Sequence, residues 1–516
     1  MNLPVPEAAA PAAPAGGRRV VIVGGGMAGT RLARQLASAG EHVTIVGEEP
    51  HAAYNRVLLA DVLAGRYEPD VIRLPDLPAA PAVRALRGVR ALRVDRAARR
   101  VWCDDGREVP YDVLVLATGA APVLPPLRGL CDGADEALPA GVHAFRTMDD
   151  CLALRGAAAS GTAAVVVGGG LLGVSAARAL ALRGARVVLA QQGERLMERH
   201  LDPAAARLLR THLEDLGVEV HTECRVRGVR THPAPPGSPA RTSRPPAADG
   251  SAAPAGPGGT VAGLAPSSDH RPGPDPVPAH PADSTARPGP HPALPPTARP
   301  VPDPGPATDV PSRGAAVPTR VVTGVELADG HVLDARLVVL ACGVRPRAGL
   351  ARGAGLRVGE GVVVDDELRT SDPAVHAIGD CAEHAGVLYG LAAPALDQAD
   401  LLARVLTGSR PEDSGPPRYA GTRALTRLTL PAGERPLDLA VFGETEPAPG
   451  DDVVHLADAT RRVYRKVVVR ADRLVGGILL GDLGAVGTLA RAWEGDDPLP
   501  PGTPLHHLLT DHLGGS

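Results

Sequence analysis

Arg19-Val20-Val21-Ile22-Val23-Gly24-Gly25-Gly26-Met27-Ala28-Gly29 decides how this chain is read. The apolar run has the character of a buried strand. It breaks into glycine at the spacing G-x-G-x-x-G (Gly24, Gly26, Gly29) and resumes with helical period through Leu32, Ala33, Leu36 and Ala37. Each glycine answers a different need: Gly24 permits a tight turn, Gly26 lets backbone approach a pyrophosphate, and Gly29 lets the helix lie close on the strand. Met27 and Ala28 open that helix, whose first N–H groups and partial positive charge face the phosphates. A second strand, His42 to Val46, leads to Glu48, placed to meet an adenosine ribose.

The pattern restarts at Ala163-Ala164-Val165-Val166-Val167-Gly168-Gly169-Gly170-Leu171-Leu172-Gly173, followed by a helix to Leu182 and a strand from Ala185 to Ala190. A second G-x-G-x-x-G (Gly168, Gly170, Gly173), with Leu171 and Leu172 opening its helix, indicates two dinucleotides in one chain. The acid expected after the second strand is missing. Gln191 and Gln192 stand there; glutamine accepts weakly from ribose hydroxyls and does not repel a 2′-phosphate, so the choice between NADH and NADPH stays open. Two further apolar strands end in small residues, at Ala117-Thr118-Gly119 and at Ala341-Cys342-Gly343, as if to close over a nucleotide. Thr370 to Asp380 reads as a strand ending in Gly379-Asp380 and opening a small-residue helix, with Asp380 either against a polyol hydroxyl or capping that helix. Arg56 reads either as a planar fork for pyrophosphate or as a surface arginine at a helix start. The fold class that follows is α/β, with two Rossmann-like dinucleotide-binding domains.

Composition narrows the function. A net charge of -4 gives no bulk reason to expect nucleic acid or an anionic membrane as partner. No apolar run approaches the roughly 20 residues that a membrane helix needs, and the Ala/Pro-rich first 17 residues lack the pattern of a signal peptide. The expected location is cytoplasmic. The six cysteines (103, 131, 151, 224, 342, 381) include no C-x-x-C, which excludes a local redox disulfide, a zinc ribbon and the usual iron–sulfur loops; no metal site is expected. Lys466 is the single lysine in the sequence. Residues 231–318 hold nearly half of the chain's 54 prolines and show no helical or strand period, so they read as a disordered insertion. Their flanks, His221 to Arg230 and Thr319 to Leu327, read as strands that pair across it. The tail carries strand-like segments at Ala424 to Leu430, Leu437 to Phe442, Val463 to Arg470 and Leu474 to Leu480, the last two joined as a hairpin around Ala471-Asp472-Arg473.

The order of these units, with Ala377-Ile378-Gly379-Asp380, resembles the two-dinucleotide flavoprotein fold of pyridine-nucleotide oxidoreductases. Tyr54-Asn55-Arg56-Val57-Leu58-Leu59, Leu196-Met197-Glu198-Arg199-His200-Leu201-Asp202 and Gly379 to Gly386 look like the flavin module of assimilatory NAD(P)H nitrite reductase large subunits and nitrate reductase electron-transfer subunits. The resemblance implies that Gly24, Gly26, Met27, Ala28, Gly29, Glu48, Arg56, Ala117, Thr118, Gly119, Gly379 and Asp380 bind FAD. It implies that Gly168, Gly170, Leu171, Leu172, Gly173, Gln191 and Gly343 bind NAD(P)H. The chemistry then belongs to the flavin, with no catalytic side chain. The implied division is a tail over 1–17, an FAD domain over 18–140 and 351–415, an NAD(P) domain over 141–230 and 319–350, the insertion over 231–318, and a small α/β interface domain over 416–516. Nothing after residue 400 contains a cysteine, so the iron–sulfur and sirohaem regions of full nitrite reductases are not matched, and no cysteine between residues 30 and 102 matches the thiols of disulfide reductases. The expected role is electron transfer from NAD(P)H through FAD to a nitrate or nitrite reductase component. A ferredoxin- or rubredoxin-type reductase and a non-catalytic flavin sensor are the alternatives.

Overall fold

The computed structural model describes residues 17–130, 138–233, 320–409, 415–423, 425–430, 436–500, 502 and 504–509. The tail expected over 1–17 and the insertion expected over 231–318 lie outside these residues except at their margins.

Two five-stranded parallel sheets share one strand order. The first runs 375–377, 113–116, 19–23, 42–47, 83–87; the second runs 142–144, 337–340, 163–167, 186–190, 218–221. In each, the strand before the glycine turn is central and fully flanked, which is why Val20–Val23 and Ala164–Val167 are unbroken apolar runs. Val20 to Val23 register with Val43 to Val46 on one side and with Val113 to Leu116 on the other. The Met27–Ser38 helix buries Ala28, Leu32, Ala33 and Leu36, a stripe at helical spacing, against its sheet. The two sheets are linked by an antiparallel ribbon in which Ala120–Pro122, leaving the first, pairs with Val344–Pro346, leaving the second.

The flanks of the insertion do pair: Val226–Pro233 runs antiparallel to Arg320–Leu327. The strand continues through Thr231, His232 and Pro233, opposite Val322, Val321 and Arg320, so the boundary expected at residue 230 moves three residues outward. The ladder reaches Pro233 because proline, lacking an N–H, is tolerated at a strand end.

The last domain is a five-stranded antiparallel sheet. Along Leu437–Gly443 alternate residues face opposite ways: Leu439 and Val441 pack on the second lobe, while Ala440 and Phe442 pack with Leu489 and Trp493 of the Val486–Gly495 helix. Its hairpin turn is the two residues Ala471 and Asp472, both at positive φ as a tight primed turn requires, rather than the three expected.

Two expectations follow. Pro233 and Arg320 are paired neighbours, so replacing residues 234–319 by Asn-Gly should leave a folded protein whose Tm, read by differential scanning calorimetry, moves by no more than about 1 °C, the size of an ~1 kcal/mol change in a protein this large. His376, 3% exposed on a strand of the first sheet, is pushed down to about 4 by burial, with the Arg369 charge adding to it and Asp365 opposing. The unfolded chain takes this proton near 6.5 and the folded chain only near 4, so the contribution is fully present above 6.5 and is lost as pH falls through that window. In urea titrations, His376→Leu should remove on the order of 2 kcal/mol of the stability loss between pH 6.5 and 4.5.

Candidate functional site

Both glycine turns sit at the carboxyl ends of their strands and are built alike. Gly24 N–H donates to Val46 O (2.8 Å), and Gly168 N–H to Ala190 O (2.8 Å). Their φ values of +123° and +107° are open to glycine alone. A Cβ on Gly29 would stand 2.1 Å from Gly24 O, and one on Gly173 1.7 Å from Gly168 O, so helix and turn touch in both lobes. Gly26 and Gly170 differ: a Cβ there would meet nothing within 4 Å. Each is the N-cap of its helix, with no side-chain cap and no acidic residue in the first turn. The first-turn N–H groups therefore carry no side-chain cap and open space adjoins the N-cap glycine, a cradle of the kind a pyrophosphate fits. Met27, Leu171 and Leu172 stand half-buried at the two helix starts.

Around the first turn the structure gathers most of the expected residues. Glu48 Oε2 accepts from Arg347 Nη1 at 2.6 Å. Thr118 Oγ1 donates to Arg347 O (2.7 Å), and Arg347 N–H to Gly119 O (2.9 Å). Ala117 O is the atom that a Cβ on Gly24 would strike. Gly379, at φ +76°, lies against Ala28, and its N–H is held by Gln398 Oε1 (2.7 Å). Asp380 does not open an α-helix. Gly379–Cys381 is a single 3-10 turn followed by the Ala382–His384 strand, and the helix begins at Ala392. The Asp380 carboxylate instead accepts from Arg146 Nη2 at 2.5 Å.

Arg56 is not a free fork. Its Nη2 donates to Glu49 Oε1 (2.7 Å) and its Nη1 to Arg146 O, while Tyr54 Oη donates to Glu49 Oε2 (2.6 Å) and accepts from Met148 N–H (3.0 Å). Burial pulls the Arg146 guanidinium below its ordinary range, with Arg56 adding to the pull and Asp380 opposing it, and its Nε is buried without a partner. An orphaned donor beside a carboxylate and an open glycine turn fits an anionic, polyol-bearing ligand such as a flavin dinucleotide.

Arg146 and Arg347 were missed in the sequence. A signal for Arg146 existed, because Val142-His143-Ala144 and Val375-His376-Ala377 are the same tripeptide in the same place of each sheet. Arg146 and Gly379 each follow that tripeptide by two residues.

At the second turn, Gln191 Oε1 accepts from Gly169 N–H (2.7 Å), so its amide oxygen is engaged with the loop, while Gln192 is exposed. Gly343, at φ +99°, leaves open space beside it. Cys342 Sγ leans on Val167 O (3.6 Å). Burial pushes up the thiols of Cys103, Cys224, Cys342 and Cys381, and that of Cys151 to about 12. Among the described residues there is no disulfide and no cluster able to hold a metal. The lobes are locked by a buried ion pair: Arg178, 1% exposed on the helix of the second turn, donates to Asp61 at 2.8 Å.

The family model for pyridine nucleotide-disulphide oxidoreductases matches residues 18–239 and 309–399. The chain belongs to the pyridine nucleotide-disulphide oxidoreductase family. It is an FAD- and NAD(P)H-dependent oxidoreductase. Residues 436–494 also match the C-terminal domain of rubredoxin NAD+ reductase. Among curated relatives, the nitrite reductase [NAD(P)H] of Bacillus subtilis (strain 168) is 29% identical over 90% of this chain and 46% of its own length. The assimilatory nitrate reductase electron transfer subunit of the same organism is 29% identical over 90% and 48%. The chain thus spans about half the length of these relatives. A putidaredoxin reductase, solved in covalent complex with putidaredoxin, shares the fold at a TM-score of 0.67 and 22% identity, covering 95% of this chain and 98% of that one. Among the described residues of this oxidoreductase, no helix is long and apolar enough to cross a membrane.

The glycines of each turn should separate on substitution. Gly170→Ala fills open space at an unstrained backbone and should leave Tm within about 2 °C, whereas Gly173→Ala drives a methyl into Gly168 O and should cost about 1–3 kcal/mol by urea titration.

Proposed function

We propose that this oxidoreductase delivers electrons from NAD(P)H, by way of FAD, to a separate redox protein, and that the acceptor is a nitrate or nitrite reductase component. The observation that carries the reading is the pairing of two uncapped glycine cradles with thiols that form no disulfide among the described residues and that burial pushes above their ordinary range. A disulfide reductase passes its electrons to a redox-active disulfide, which they reduce to a thiol pair, and only a thiolate can then attack a substrate disulfide. Among the described residues the cysteines form no disulfide, which supports an acceptor outside this chain.

In this reading Gly24, Gly26, Met27, Ala28, Gly29, Glu48, Ala117, Thr118, Gly119, Gly379 and Asp380 hold FAD, with Arg146 and Arg347 added to the set. Arg56 orients Arg146 through its carbonyl oxygen and braces Glu49, rather than meeting phosphate alone. Gly168, Gly170, Leu171, Leu172, Gly173, Gln191 and Gly343 receive the nicotinamide coenzyme. When bound, FAD supplies hydride acceptance and onward release of single electrons. The protein's own work is position and dryness: helix N-termini take the diphosphates, the Arg146–Asp380 pair orders the polyol side, and the buried Arg178–Asp61 contact keeps the two cofactors in a fixed relation.

The names of the two Bacillus relatives support the nitrogen-assimilation partner. The match of residues 436–494 to a rubredoxin reductase domain supports the second reading, a small iron–sulfur or rubredoxin-type carrier. In anaerobic stopped flow, NADH or NADPH should bleach the flavin of the purified yellow protein, and reoxidation should be fast with one acceptor class only. Gly170→Ala should raise the coenzyme KM at least about tenfold, an ~1.4 kcal/mol loss, with the flavin spectrum intact. A colourless protein that stays so with added FAD, or a flavin that neither coenzyme bleaches, would overturn the proposal.

A further inference from the structure

Leu196-Met197-Glu198-Arg199-His200-Leu201-Asp202, so far a mark of resemblance only, and the lone Lys466 have no assigned role, and the structure joins them. At one end of this segment Leu196 covers Gly169, so that a Cβ on that glycine would come within 2.7 Å of Leu196 Cδ2. Met197 N–H donates to Gly169 O (2.9 Å). Met197 is 2% exposed and held at φ +49°, a conformation that side chains avoid and that surrounding contacts must impose. The contacts that impose it are local. His200 N–H and Leu201 N–H both donate to Met197 O (2.7 and 2.9 Å), and Arg195 Nε donates to Leu201 O (3.2 Å).

At the other end, Asp202 caps the Pro203–Asp215 helix through Ala205 N–H (3.0 Å). Its second oxygen accepts from Tyr464 Oη (2.6 Å) and Lys466 Nζ (3.1 Å), both on the C-terminal sheet. Asp202, Tyr464 and Lys466 are 6%, 4% and 7% exposed. Burial alone would raise the Asp202 carboxyl, but the Ala205 N–H, the Tyr464 hydroxyl and the Lys466 ammonium together hold it below its usual range. The far end of the same helix is gripped as well, by Arg462 on Asp215. The C-terminal sheet and the turn before its Val463–Arg470 strand thus clasp one helix at both ends, and the strap leading into that helix presses on the second glycine turn.

We propose that Lys466 is a positioning residue for the nicotinamide coenzyme: through Asp202 and the Met197 strap, the C-terminal domain fixes the Gly169 carbonyl and with it the shape of the second cradle. Lys466 touches neither cofactor in this arrangement. The proposal rests on reading the second glycine turn as the coenzyme site. It explains why the chain spends a buried charge pair at a domain contact, where apolar packing would serve stability as well.

The test uses the full-length, FAD-loaded protein and NAD+ as probe, by isothermal titration calorimetry. Lys466→Met should bind NAD+ about tenfold more weakly with flavin content unchanged, and Lys466→Arg should restore binding to within about threefold. Because Lys466→Met leaves Asp202 buried without its cation, the double variant Lys466→Met with Asp202→Asn supplies the control, since asparagine still caps the helix. The double variant should regain Tm yet keep the weakened affinity. Recovery of both Tm and affinity, or an unchanged Kd in a folded Lys466→Met protein, would overturn the proposal and assign the pair to stability alone. Wild-type protein whose NAD+ affinity is insensitive to Gly170→Ala would instead remove the coenzyme-site reading on which this one stands.

Discussion

Two carbonyl oxygens, those of Gly24 and Gly168, occupy the places where side chains would begin on Gly29 and Gly173. That contact fixes each helix directly over the end of its central strand, and the rest of the molecule is arranged around it. Because the helix starts so close to the strand end, its unpaired N–H groups open onto the same edge where the neighbouring parallel strands terminate. Glu48, Thr118 and Gly379 in one lobe, and Gln191 and Gly343 in the other, arrive there by the direction of their strands. A single backbone approach, used twice, gives two sheets the same open edge.

The duplication also explains how the lobes meet. Each sheet ends on a short Val-His-Ala strand, and two residues beyond lie Arg146 in one lobe and Gly379 in the other, so that Arg146 reaches Asp380 across the join. The ribbon of Ala120–Pro122 with Val344–Pro346 repeats this relation nearby, each strand leaving its own sheet through a small-residue turn. Similar exits from similar sheets come together in antiparallel fashion, as two related halves facing one another must.

Much of this was legible. The glycine spacings, the apolar central strands and the pairing of the insertion's flanks are local patterns that backbone geometry enforces, and they carry the fold. The side-chain network was not legible, because its partners lie far apart in sequence: Arg347 on Glu48, Arg146 on Asp380, Arg178 on Asp61. In a chain where nearly every cation is arginine, the residue type marks no position as special. The helix expected after Asp380 failed for a different reason. Small residues follow the Gly-Asp pair, yet Ala382 to His384 finds a strand partner in Val362 to Val364, and tertiary pairing overrides the local preference.

The buried pair of Arg178 and Asp61 carries a mechanical consequence. A guanidinium with almost no exposure cannot be drawn away from its carboxylate and left in an apolar wall without a large energetic cost. Separating the lobes at this contact would leave that charge uncompensated, so the pair resists their opening like a latch set behind the second turn.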